Sequence, residues 1–118
     1  MNKEEDILEQ FEPLNEMASY GKKSTGITNT IFISPKGGAK HGARIKVAID
    51  PPDSFNPSTK SVSIDINDYT VRGEAIIPNK LLKCVVKYIK RNYSTIKDYW
   101  EYKIDTAELT KKLIKVKC

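Results

Sequence analysis

The sequence predicts an α+β fold: an antiparallel three- to four-stranded meander with C-terminal helices packed on one face. Two alternating segments carry that expectation. Apolar and polar residues switch along Ala43-Arg44-Ile45-Lys46-Val47-Ala48-Ile49-Asp50, and Ser61-Val62-Ser63-Ile64-Asp65-Ile66-Asn67 repeats the pattern. A period of two puts successive side chains on opposite faces of a strand, so each segment has one apolar and one wet face. The third observation is a change of period: Leu82, Val85, Val86 and Ile89 recur at i, i+3, i+4, i+7, the spacing of an amphipathic helix. At 118 residues the chain has the length of one domain. No apolar run approaches the ~18 residues of a membrane-spanning helix.

Taken in order, residues 1–25 form an acidic, partly helical arm, and residues 26–118 the single α+β domain. The arm carries Glu4, Glu5, Asp6, Glu9, Glu12 and Glu16 against Lys3, Lys22 and Lys23. Ile7, Leu8 and Phe11 have helical spacing, Pro13 ends or kinks that turn, and Leu14, Met17 and Ala18 begin another. The start is acidic and has no apolar signal region, so a cytoplasmic protein is expected, in the host cytoplasm if a phage encodes it. Gly21 and Gly26 bracket a polar linker. Residues 30–34, rich in β-branched and aromatic side chains, read as the first strand. Residues 35–42 are too rich in glycine and polar groups for a strand interior and form a loop; residues 51–58, with three prolines, form another. The strands at 43–50 and 61–67 bury Ile45, Val47, Ile49, Val62, Ile64 and Ile66, and leave Arg44, Lys46, Ala48 and Asp50 wet.

A helix over 79–91 follows Pro78. A second runs from Ser94, read as its cap, to Tyr102. A third begins at Asp105-Thr106-Ala107-Glu108, a cap residue with Glu three places on. Leu109, Leu113 and Val116 continue its inner face, and Lys111, Lys112, Lys115 and Lys117 fill its last turns. Tyr88, Tyr93, Tyr99, Trp100 and Tyr102 are expected to fill the core between helices and sheet, with an exposed aromatic platform as the alternative. Cys84 and Cys118 have neither a metal-ligand spacing nor the numbers of a disulfide framework, so both are expected as free thiols in a reducing compartment.

Three segments have a familiar pattern: residues 12–18 (Glu-Pro-Leu-Asn-Glu-Met-Ala), residues 40–47 (Lys-His-Gly-Ala-Arg-Ile-Lys-Val), and Tyr99-Trp100 followed by Ile104-Asp105-Thr106-Ala107-Glu108-Leu109. In that order they resemble small bacterial and phage proteins classed as domains of unknown function. The resemblance implies a prokaryotic or phage setting and brings no catalytic residues. The acidic arm and Phe55-Asn56-Pro57 are less typical of those proteins.

Charge supplies the functional expectation. The whole chain is +5, and because the arm is −3 the remainder is +8. A basic body attracts polyanions. The leading candidate site is the loop and strand carrying Lys36, Gly37, Gly38, Lys40, His41, Arg44 and Lys46. There, glycines let a ligand approach backbone amides, and cations stand beside them. It is not a phosphate-binding P-loop, since no Gly-Lys-Ser/Thr follows and a strand comes next. A secondary basic face is the helix stripe Lys80, Lys83, Lys87, Lys90 and Arg91, in a stretch without any acid between Glu74 and Asp98.

His41, the sole histidine, has no orienting carboxylate or nucleophile in sequence, so no catalytic residue is assigned. No metal site or cofactor is expected either: Asp50, Asp53, Asp65 and Asp68 lack calcium-loop spacing. Asp65 is expected to pair with Arg44 or Lys46 across the sheet. The expected function is therefore non-enzymatic binding of nucleic acid or a ribonucleoprotein, without a membrane. Binding and inhibition of a host protein by a phage or mobile-element protein comes second, and a small ribonuclease toxin third.

Overall fold

The computed structural model describes residues 17–73 and 75–118. The helical reading of the acidic arm up to residue 16 lies outside the described residues. The described residues form a five-stranded antiparallel sheet whose spatial order is its sequence order: β1 (Ala18–Tyr20), β2 (Ile31–Ile33), β3 (Arg44–Asp50), β4 (Lys60–Asp65) and β5 (Val71–Arg72). A single helical turn, α1 (Lys22–Thr25), joins β1 to β2. Two helices follow the sheet, α2 (Asn79–Trp100) and α3 (Thr106–Lys112).

The alternating segments set the register. Ile33, Ile45 and Ile64 align across β2, β3 and β4, as do Ile31, Val47 and Val62 in the next row on the same face. These six side chains are buried in one cluster with Val85, Tyr88 and Ile89 of α2, so the apolar face of the sheet is the one the helix covers. Ile66 joins the cluster from just beyond β4. At about 25 cal/mol per Å² of apolar surface removed from water, this shared layer is the main stabilising element of the fold. Ile49, expected in the core, is half-buried, because β3 shifts register between Ala48 and Asp50. Ala48, expected to be wet, is fully buried. Its N–H donates to the carbonyl of the buried Thr30, and its own carbonyl accepts from the Asn29 side chain, so the approach to β2 covers it.

The sheet also begins earlier than expected. Ala18, Ser19 and Tyr20 form its first edge strand, pairing with Ile33, Phe32 and Ile31, and Tyr20 is buried. Met17 and Ala18 therefore start no helix, and residues 18–20, expected in the arm, belong to the sheet. The expected linker is α1, with Gly21 at its N-cap and Gly26 closing it at φ 82°. That positive φ and the close passage of the Val116 carbonyl make glycine necessary at position 26.

The two helices expected on either side of residue 92 are one helix with a kink. Asn92 leaves helical geometry (φ −116°, ψ 15°), while Ser94 lies inside the helix and caps nothing. The kink has a cause. The buried Asn92 side chain donates to the Tyr88 carbonyl (3.0 Å), a bond back to the preceding turn of the kind that bends helices. Asn92 also donates to the Ile114 carbonyl (2.8 Å) and accepts from the Ile114 N–H (2.7 Å). These bonds hold residues 113–118 alongside α2 as an extended segment. The third helix accordingly stops at Lys112, so Lys115 and Lys117 lie beyond it. Its start is as expected: the Asp105 carboxylate accepts from the Glu108 N–H (2.8 Å).

The cysteines are a correction. Cys84 and Cys118 form a disulfide, with their Cα atoms 5.6 Å apart. The return of the extended segment along α2 brings residue 118 to the helix's second turn, a proximity that a separation of 34 residues hides in sequence. Of the aromatic group, Tyr88, Tyr99 and Trp100 are core, Tyr93 is half-buried, and Tyr102 is exposed. No helix among the described residues is long and apolar enough to cross a membrane.

Candidate anion-binding pocket

The face of the sheet opposite α2 is built from the polar members of the same alternations. Ser19, Phe32, Lys46, Ser63 and Arg72 fall in one row across all five strands. Arg44 lies in the neighbouring row, opposite Asp65. Phe32 is buried but stands outside the main core cluster, which marks this face as the floor of a separate site. A cavity of about 420 Å³ opens over it. Phe32, Arg44, Lys46 and Ser63 come from the sheet, Lys36, Gly38, Lys40 and His41 from the loop before β3, and Trp100 from the end of α2.

Six of the seven residues expected from sequence thus meet at one cavity. The seventh, Gly37, shapes the turn at φ 52°, and its N–H donates to the Tyr102 hydroxyl (2.8 Å). That bond corrects part of the sequence reading, in which the loop amides face a ligand. The Lys36 N–H donates to the Trp100 carbonyl (3.0 Å) and the Ala39 N–H to the Lys36 carbonyl (2.9 Å), so three amides of the loop are already engaged. Gly42 has open space where a Cβ would stand, so close approach does not require glycine there. What the loop brings to the cavity is its side chains, on a backbone tied to the end of α2.

Those side chains are cationic. Among the described residues, Lys36, Lys40, Arg44 and Lys46 line the cavity and no carboxylate does. The expected partner of Arg44 is otherwise occupied: Asp65 Oδ1 accepts from the Asn67 N–H (2.7 Å) and the Asp68 N–H (3.1 Å), closing the turn after β4. The single ion pair among the described residues, Lys103–Glu101 at 3.7 Å, is elsewhere. Arg44 Nε is enclosed with no hydrogen-bond partner. Lys46 Nζ donates to the Pro57 carbonyl (2.8 Å), and burial pushes its pKa below the ordinary lysine value. A desolvated cation and an enclosed, unpaired guanidinium N–H both gain from an arriving anion, more than surface lysines do.

His41 is exposed, and its ring lies 5.6 Å from that of Trp100 at an interplanar angle of 32°. Its Nδ1 is 2.7 Å from the Gly42 carbonyl. Among the described residues, no group of three or more His, Cys, Asp or Glu side chains is placed to hold a metal ion.

The secondary basic face is elsewhere. Lys80, Lys83, Lys87, Lys90 and Arg91 are all exposed on α2, on the side turned away from the sheet. Lys87 Nζ donates to the Lys117 carbonyl (2.7 Å), and Lys90 lies over the Tyr69 ring at 5.6 Å. The two basic surfaces point in opposite directions and cannot meet one ligand as a single patch. Sequence reasoning missed Phe32, Ser63 and Trp100 as lining residues. The serines of the 61–67 alternation signalled a polar second face, but only the register puts Phe32 and Arg72 in its row.

Fold and site together define a single-sheet α+β protein with a cationic cavity on the sheet face opposite its helices. Compared with protein-family models, curated proteins and solved structures, the chain matches none.

Proposed function

We propose that this is a non-enzymatic binding protein that engages nucleic acid, free or within a ribonucleoprotein, through the cavity over β2, β3 and β4. The observation that carries the reading is the convergence of Lys36, Lys40, Arg44 and Lys46 on one concave site, with Arg44 Nε lacking a protein partner. Phosphate suits such a set, since a guanidinium can grip it through two parallel hydrogen bonds while the lysines answer its remaining charge. The prokaryotic or phage setting belongs to the same proposal.

A salt-titrated binding assay tests it. Changing Lys36, Lys40, Arg44 and Lys46 together to Ala should abolish retention on nucleic acid, while circular dichroism shows the fold preserved. The slope of log K against log salt should fall by ~0.7–0.9 for each phosphate that is no longer neutralised. The same number of changes at Lys80, Lys83, Lys87 and Lys90 should weaken binding less, because that stripe is exposed, set on long flexible side chains and partly engaged. Equal losses would reduce the effect to net charge. A parent protein that binds nothing at low salt would overturn the reading.

The alternative, engagement of a host protein, has an observation of its own. Ile76 is 87% exposed and lines a largely apolar groove with Ile27, Ile49 and Leu81. A salt-insensitive partner interaction that disappears on changing Ile76 to Ser would favour it.

A further inference from the structure

We infer that the nucleic acid taken by this cavity is single-stranded, with one base lying on the exposed face of His41 and the adjoining phosphate at Arg44. The inference rests on the anion reading above and narrows it. Depth is the first reason. Arg44 and Lys46 are half-buried on the sheet floor, whereas Lys36 and Lys40 are exposed at the rim. A duplex carries its phosphates on a stiff convex surface and reaches only the rim. A single strand can turn one nucleotide inward. The cavity, about 420 Å³, falls within the range of ~300–1,000 Å³ that holds small ligands.

The second reason is the aromatic step. Trp100 is buried at 8% exposure and backs His41, whose ring is exposed at the mouth of the same cavity. An exposed ring tilted against a second, buried ring, with cations beside it, offers a surface on which unpaired bases stack. The loop that carries it is fixed by the Lys36–Trp100 and Gly37–Tyr102 hydrogen bonds, so little ordering is left to binding. In a duplex, base faces are already stacked on one another and cannot use His41.

The test uses the whole disulfide-bonded chain and three probes of equal length: a single-stranded oligonucleotide, the duplex of that sequence, and an abasic phosphodiester strand. Trp100 is the only tryptophan, so its fluorescence reports the cavity directly. The single strand should bind at least tenfold more tightly than the duplex and change the emission. Removing the bases should weaken binding by about tenfold, the scale of one base on one aromatic ring. His41→Ala should impose the same loss on the oligonucleotide and none on the abasic strand, and His41→Phe should restore binding.

Equal affinity for duplex and single strand would overturn the inference and leave the anion reading standing. So would a His41→Ala loss that is as large on the abasic strand, or a His41→Phe variant that fails to recover. If none of the three probes binds at low salt, both readings fall.

Discussion

Changing Asn92 to Ala cuts three hydrogen bonds with one substitution, two of them to Ile114 in the extended segment. Each net bond is worth ~1 kcal/mol, and carbonyls or amides left without water cost more, so the change should destabilise the disulfide-bonded protein by about 2–3 kcal/mol. The same segment is also fixed by the Cys84–Cys118 bond. Chain entropy for a 34-residue separation assigns that cross-link roughly 4 kcal/mol. Either restraint alone is a large fraction of the ~5–15 kcal/mol that holds a domain folded.

The two restraints act on one element, so their effects should not add. With the disulfide intact the segment cannot leave, and Asn92→Ala strands the Ile114 groups beside α2. With Cys118→Ser the segment frays, water reaches Ile114, and the same substitution should cost only about 1 kcal/mol, a coupling of ~1–2 kcal/mol. Thermal unfolding of the parent, both single variants and the double variant measures it. At ~4 °C per kcal/mol for a domain of this size, Asn92→Ala should lower Tm by about 10 °C with the disulfide present and about 4 °C without it. Additivity within ~0.5 kcal/mol would refute a shared element. An unchanged Tm on Cys118→Ser would refute the cross-link's contribution.

Other substitutions read single features. Gly26→Ala must hold φ 82° and drive a Cβ into the Val116 carbonyl oxygen, so urea denaturation should show a loss of about 2–3 kcal/mol. Tyr88→Phe removes a hydroxyl that is buried without a partner and should raise stability by about 1 kcal/mol. Burial also raises the Tyr88 pKa, so its contribution is complete below the unfolded value of 10.0 and is lost as pH climbs above it. Tyr88→Phe should lose less stability than the parent in that range. Lys46→Met keeps the stem and deletes a desolvated cation, so denaturation at neutral pH should show unchanged or higher stability while oligonucleotide binding falls. Because the folded Lys46 pKa lies below 10.5, this group makes the parent gain stability as pH rises toward that value. Lys46→Met should lack that gain.

The parts of the fold that were legible in sequence are those whose pattern is local. The 43–50 and 61–67 alternations specify strands and faces, and the inward residues as far as Val47 in the first and throughout the second, while Asp105 with Glu108 specifies a helix start. Ala18–Tyr20 was not legible, because a three-residue strand has no period of its own and exists only through pairing with Ile31–Ile33. Leu109, Leu113 and Val116 have helical spacing, yet the chain leaves the helix at Leu113. The competing force is tertiary: Asn92 takes both backbone groups of Ile114. The disulfide depends on that same departure, so one missed interaction removed the basis for expecting two free thiols. At the pocket, charge type and loop chemistry picked out Lys36 to Lys46, while the row of Phe32, Lys46, Ser63 and Arg72 needed the register.

Two buried side-chain polar atoms among the described residues lack a partner, Arg44 Nε and Tyr88 Oη, and their surroundings separate their meanings. Each costs free energy, since a buried donor without an acceptor has lost its water. Tyr88 is sealed in the core cluster between α2 and the sheet, where no ligand can reach it, so Tyr88→Phe repairs a defect. Arg44 lines an open cavity beside Lys46, a lysine that burial already disfavours in its charged form. Both unfavourable terms on that face have the same remedy, a negative charge in the cavity. Natural sequences keep such local conflicts where function uses them. Arg44→Met should therefore stabilise the free protein, as Tyr88→Phe does, while removing the stabilisation that oligonucleotide confers in a thermal-shift titration. Tyr88→Phe should leave that ligand-induced shift intact. An Arg44→Met protein that keeps the full shift would strip the Arg44 guanidinium of its role as the anion's seat.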